Sequence, residues 1–195
     1  MFITEQDNHE AEFDKEWLSM EKYDFKILTL IAVLAENKLA YRGKIKDMCE
    51  FLGVAAGNSR TNRAIKDAIE KLEKEEYIDV IKRGQIYTLT LRDNRSRTII
   101  KIQKKWIAIV KSLNGKQNSW DTILRVWLYL IDNQREIITT KDIAADLQLS
   151  EKTIGNVKKI LVEDLKAIKC TNRAKKIDER TYIKLGQTID TFAWI

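Results

Sequence analysis

TTKDIAADLQLSEKTIGNVKKIL, residues 139–161, places a short amphipathic segment, a turn and a basic amphipathic segment in direct succession. Thr139 or Thr140 offers an N-cap oxygen to a helix that carries Ile143, Ala144 and Leu147 on one side. Leu149-Ser150 then turns the chain and supplies a new cap. In the following helix Ile154, Val157, Leu161 and Leu165 recur at inward spacing. Lys152, Gly155 and Lys159 therefore face outward, with Asn156 on the flank. A glycine inside a helix costs about 1 kcal/mol relative to alanine. Gly155 fits either a close approach of the backbone to a ligand or a tolerated substitution.

The segments on either side extend the pattern. Ser119 can cap a helix built on Trp120, Ile123, Leu124, Val126, Trp127, Leu128, Leu130 and Ile131, and Glu136-Ile137-Ile138 is a short extended piece. Downstream, residues 168–172 and 180–185 read as strands around the basic loop Arg173-Ala174-Lys175-Lys176. Earlier in the chain the same order occurs once more. Asp24 can cap an apolar helix over Phe25, Ile27, Leu28, Leu30, Ile31, Val33 and Leu34 that stops at Glu36-Asn37. Ala40-Tyr41-Arg42-Gly43 is extended, and Ile45, Met48, Cys49 and Leu52 mark a short helix ended by Gly53. Asn58 or Ser59 then caps a longer helix whose inner face is Ile65, Ala68, Ile69 and Leu72. Arg60 and Arg63 point away from that face, with Lys66 on the flank. Two strands, 78–82 and 86–91, enclose the tip Arg83-Gly84-Gln85, and Tyr87, Leu89 and Leu91 alternate with Thr88 and Thr90.

The 139–161 stretch resembles the helix-turn-helix of bacterial winged-helix regulators, in which a Thr-capped helix with a central alanine precedes a Leu-x-Leu-Ser turn and a recognition helix. The resemblance implies a tandem winged helix-turn-helix DNA-binding protein of bacterial or mobile-element type. The fold expected is mainly α with small β-hairpins, two such domains being joined by a helix. The first copy departs from the second by three additional residues in its turn. Under this reading both recognition helices enter major grooves with their first turns, where free N–H groups and cations suit phosphate. The candidate DNA contacts are Ser59, Arg60, Arg63, Lys66, Lys82, Arg83, Gln85, Lys152, Gly155, Asn156, Lys159, Arg173, Lys175 and Lys176. The plainer alternative for each helix is a solvated charged face with i,i+4 pairs such as Glu70–Lys74.

Charge is unevenly placed along the 195 residues. Residues 1–24 hold eight acids against two bases, a balance of −6, so with a net charge of +6 the remainder carries 6 − (−6) = +12. A basic body favours a polyanionic partner, and the acidic arm could compete with DNA for it. The expected organisation is an acidic arm at 1–22, a first domain at 23–95, a connecting helix at 96–118 and a second domain with a C-terminal tail at 119–195. The connector places Arg95, Arg97, Lys101, Lys104, Lys105 and Lys111 among Ile99, Ile102, Trp106, Ile109 and Leu113, although 98–102 also fits a strand. Trp106 reads as core, and Phe192-Ala193-Trp194-Ile195 as an apolar patch that docks.

Catalytic apparatus is sparse. His9 is the only histidine and lies in the arm, which leaves no Ser-His-Asp, Cys-His or multi-histidine metal chemistry for the body. No GxxxxGK[ST] or GxGxxG sequence occurs, and Cys49 and Cys170 show no metal-ligand spacing. Proline is absent, so turns fall to Gly, Asn and Asp. The chain has neither a secretory leader pattern nor an apolar run of about 20 residues, which points to a cytoplasmic protein without membrane contact. No enzyme activity, metal or cofactor is expected. The expected function is sequence-specific double-stranded DNA binding as a transcriptional regulator, with two half-sites about 34 Å apart. An alternative is a replication-initiation or DNA-transfer accessory protein of a plasmid, phage or integrative element, since LSMEKYDFKILTLIAVL (18–34) loosely resembles the lead-in of some plasmid initiator domains. A second alternative is a protein-interaction scaffold, against which the basic charge counts. A homodimer, or other replication or transcription proteins, would be the further partners.

Overall fold

In the computed structural model the described residues are 10–35, 40–92, 98–113, 119–134, 136–177 and 182–192. The expectations at His9, Glu36-Asn37, Arg95, Arg97, Arg180 and Ala193-Trp194-Ile195 lie outside them. The element order is β1 (Glu10–Asp14), a 3-10 turn (Lys15–Ser19), α1 (Lys22–Leu34), β2 (Ala40–Lys44), α2 (Ile45–Leu52), α3 (Ser59–Lys74), β3 (Ile78–Arg83), β4 (Ile86–Leu91) and β5 (Ile99–Gln103). It continues with α4 (Lys104–Ser112), α5 (Trp120–Asp132), α6 (Thr140–Asp146), α7 (Glu151–Lys159), a π-helical segment (Ile160–Asp164), β6 (Ile168–Lys176) and β7 (Tyr182–Thr191). Of the described residues, 52% are helical and 28% are strand, in seven α-helices and three small sheets. This corrects the expectation of a mainly α fold: the chain is mixed α/β. Strand was underestimated because the second hairpin is nine and ten residues long and because β1 and β5 form a sheet of their own.

The chain divides into one unit of Ala11–Lys101 and another that contains Ile102–Ile195. In the first unit, residues 10–19 of the expected arm are built into the fold. Phe13 and Trp17 are buried, and the Phe13 ring lies 6.0 Å from Trp17 and 6.3 Å from Phe25. Helix α1 starts at Glu21 without a side-chain cap. Asp24 does not cap it; its buried carboxylate accepts a 2.8 Å hydrogen bond from the Lys71 ammonium on α3. The sheet has order β2-β4-β3, with Tyr41 opposite Leu89 and Val80 opposite Leu89 on one face. Tyr41, Tyr87 and Leu89 are buried on that face, and Met48, Leu52, Ile65, Ile69 and Leu72 fill the core.

The expected connecting helix begins instead as a strand, β5, which runs across the division at Lys101, and α4 follows it in the second unit. The isoleucines Ile100 and Ile102 alternate with Ile99 and Lys101, which is the period of a strand. Trp106 packs edge-on against Trp127 of α5, 5.3 Å between ring centroids. Trp120, Ile123, Leu124, Trp127 and Leu128 are almost wholly buried, each contributing roughly 2–3 kcal/mol of apolar burial. Ile138 bridges Gln187 of β7 through two backbone hydrogen bonds of 3.0 and 2.9 Å.

The repeat reaches the backbone. Lys44 N–H donates to Asp47 at the start of α2, and Thr139 N–H donates to Asp142 at the start of α6, at 2.8 and 2.9 Å. After α2, Gly53 takes φ 66° and Val54 N–H donates to the Cys49 carbonyl. After α6, Gln148 takes φ 53° and Leu149 N–H donates to the Ala144 carbonyl. Leaving the long helix of each unit, Glu76 and Lys166 occupy the same left-handed region at φ 63° and 50°.

Candidate nucleic-acid interface

Helix α3 begins at Asn58, whose side-chain oxygen accepts from the N–H groups of Arg60 and Thr61 at 2.9 and 3.2 Å. Asn58 is thus the cap and Ser59 the first helical residue. Ile65, Ala68, Ile69 and Leu72 are buried, so Ser59, Arg60 and Arg63 lie exposed on the other side, with Lys66 exposed on the flank. The Arg63 side chain is 85% exposed and stands 3.8 Å from Asp67, one turn on. An exposed i,i+4 pair of this length is worth a few tenths of a kcal/mol, so Arg63 can exchange it for a phosphate or base edge.

The hairpin β3–β4 divides its basic residues between two faces. Lys82 lies opposite Tyr87 on the face toward α3, with its ammonium 5.2 Å from the ring centre. Lys66, Ile69, Glu70 and Glu73 of α3 and Val80, Lys82 and Tyr87 of the hairpin line one shallow depression. Arg83 lies opposite Ile86 and therefore on the other face. Gln85 is exposed in the turn, where Gly84 takes φ 61°.

Helix α7 begins at Ser150, whose hydroxyl accepts from Thr153 N–H at 3.1 Å. Ile154 and Val157 are fully buried, whereas Lys152, Gly155 and Lys159 are exposed and Asn156 is half-buried, as the spacing predicts. A Cβ added to Gly155 meets no atom within 4 Å beyond its own helix backbone and chain neighbours, so no contact among the described residues requires glycine there. Lys159 stands 3.8 Å from Glu163. The expected basic loop Arg173-Ala174-Lys175-Lys176 is instead the outer part of β6. Arg173 pairs with Gly186, and, past a bulge at Leu185, Lys175 pairs with Ile183. Asn172 stays in the strand, opposite Gln187, and the hairpin therefore reaches further out. Arg173, Lys175 and Lys176 are exposed, and Arg173 also donates to the Thr188 hydroxyl at 3.2 Å.

Lys158 is a residue that the sequence reading passed over. It is half-buried between α7 and the hairpin, and its ammonium donates to the side-chain oxygen of Gln187. Gln187 in turn donates to Asn172 at 2.8 Å. Burial pushes the Lys158 pKa down and that of the neighbouring Cys170 thiol up. The signal was present: Ile154, Val157, Lys158 and Leu161 stand at i, i+3, i+4 and i+7, which puts the lysine in the inward stripe. Lys158 holds the hairpin to the helix.

Among the described residues no group of three or more His, Cys, Asp or Glu side chains is placed to hold a metal, and no helix is long and apolar enough to cross a membrane. No protein-family model matches the chain, and comparison with curated proteins returns no match.

Proposed function

We propose that the protein binds double-stranded DNA without catalysis, as a sequence-specific transcriptional regulator of the cytoplasm. In this reading α3 and α7 enter the major groove, and the hairpins β3–β4 and β6–β7 lie along the phosphate backbone. One observation carries it. In each unit a capped helix buries an apolar face and leaves cations exposed in its first turns: Arg60 and Arg63 on α3, Lys152 on α7. Those turns also carry the positive end of the helix dipole, so charge and dipole favour the same polyanion.

A gel-shift series with the pure protein on random duplex, single strand and genomic fragments at two salt concentrations tests the reading. Tight binding to particular duplexes that weakens steeply with salt is expected. No retardation of any duplex at low salt contradicts it.

A further inference from the structure

The outer face of the sheet β2-β4-β3 carries a cluster of cations that the reading helix does not explain. The register puts Lys44, Ile86 and Arg83 in one row across the three strands, and Arg42, Thr88 and Ile81 in the next row on the same face. Arg42, Lys44 and Arg83 are all exposed, and Ile81, at the far end of Arg42's row, is 56% exposed. Strands lie about 4.8 Å apart and rise about 3.4 Å per residue, so Lys44 and Arg83 originate roughly 10 Å apart and Arg42 roughly 7 Å further along β2. None of the three has an ion-pair partner among the described residues. Asp79, which shares this face two residues beyond Ile81, is held by Arg92 at 2.8 Å.

The second unit shows that the fold does not need these cations. The N–H bonds to Asp47 and Asp142 at the starts of α2 and α6 align Lys44 with Thr139, and therefore Arg42 with Ile137. Thr139 caps its helix through a hydroxyl that accepts from Asp142 N–H at 3.1 Å. Lysine has no acceptor to offer at that position, and its charge opposes the positive end of the helix. Lys44 is therefore a poorer residue for stability than its counterpart. Its value lies in the charge it adds to the row with Arg83.

We infer that this face is a second phosphate-contacting surface of the first unit, one that touches the backbone of the duplex beyond the groove read by α3. The row contains no aromatic ring, so unpaired bases have nothing to stack on and the duplex backbone is the partner that fits. A duplex carries about one charge per 1.7 Å of axis, several phosphates over the span of the three cations. Contacts of this kind lengthen the footprint and raise affinity without choosing sequence.

The inference rests on the proposed DNA binding, and its test separates the two. The double variant Arg42→Ile/Lys44→Thr copies the second unit's residues and so preserves the fold, which a thermal melt checks. Binding of wild type and variant to one preferred duplex is measured across a salt series, with a scrambled duplex beside it. Loss of two phosphate contacts should flatten the slope of log affinity against log salt by about 2, with the preference for the chosen duplex retained. Wild-type binding with an unchanged slope in the variant overturns this inference alone. Failure of the wild type to bind either duplex overturns the proposed function together with it.

Discussion

Gly186 and Ile138 approach so closely that a Cβ on the glycine would stand 2.8 Å from the Ile138 carbonyl oxygen. Gly186 also takes φ 140°, a conformation that L side chains rarely adopt. The contact lets Ile138 and Gln187 exchange their two backbone hydrogen bonds next door, and so sets the hairpin against the rest of its unit. Gly186→Ala should cost about 2–3 kcal/mol from backbone strain alone. A chemical denaturation series should show the midpoint falling in step. An unchanged midpoint would mean that the bridge is dispensable.

Gln148 occupies the left-handed position that Gly53 occupies in the other unit. A side chain in that region costs roughly 1 kcal/mol. Gln148→Gly should therefore stabilise the protein by about 0.5–1 kcal/mol, while Gly53→Ala should destabilise it by a similar amount. Both are read by thermal or urea unfolding, and opposite signs are the expected result.

The buried Asp24 carboxylate depends on Lys71. Hydrogen bonding to Asp24, then to Glu21, raises the Lys71 pKa above its ordinary 10.5. A raised lysine binds more protons folded than unfolded, so its stabilisation is complete below about pH 10.5 and is lost as pH climbs through the folded value. Burial pushes Asp24 up from 3.8, and the Lys71 ammonium partly offsets the rise. Lys71→Met removes that offset. The variant should be less stable than wild type by about 1–3 kcal/mol at neutral pH, a range that allows for the partly exposed lysine. The deficit should shrink on acidification, as Asp24 takes up a proton in the folded state. A deficit that does not vary with pH would show that Asp24 is already protonated beside Lys71.

Gly155 separates stability from binding. Beyond the helix's own backbone and its chain neighbours, no described residue lies within 4 Å of a Cβ placed there, so Gly155→Ala should stabilise α7 by nearly 1 kcal/mol. If α7 enters a groove backbone-first at this point, the same methyl group should lower duplex affinity. A gain in melting temperature without any change in affinity would show that DNA does not approach Gly155.

Much of this architecture was legible because apolar spacing carries it. The inward faces of α3 and α7 were readable from Ile65, Ala68, Ile69 and Leu72, and from Ile154, Val157 and Leu161. Gly53 marked the end of α2 in the sequence, whereas a glutamine at 148 gave no sign of its left-handed backbone. Three further features were not readable, for distinct reasons. Residues 10–19 look like a charged arm because acids alternate with Ala11, Phe13, Trp17 and Leu18, and burial of those four depends on partners distant in sequence. The length of β6 was hidden because its outer half, Thr171–Lys176, is exposed on both faces and so lacks an apolar alternation. The cluster of Arg42, Lys44 and Arg83 exists only through strand register, which the sequence does not state. Phe13 and Trp17 belong to the core, so residues 10–19 are not a detachable charged arm.

The most direct measurement is a titration of a preferred duplex by wild type, Arg63→Ala and Lys152→Ala at several salt concentrations. Arg63 and Lys152 are both exposed, each opposite the apolar face of its helix. The account predicts that wild-type affinity falls steeply with salt and that each substitution weakens binding, by a few-fold for a lost phosphate contact and by up to about 100-fold for a lost base contact. Affinity unchanged in both variants would contradict the assignment of α3 and α7 as the reading helices.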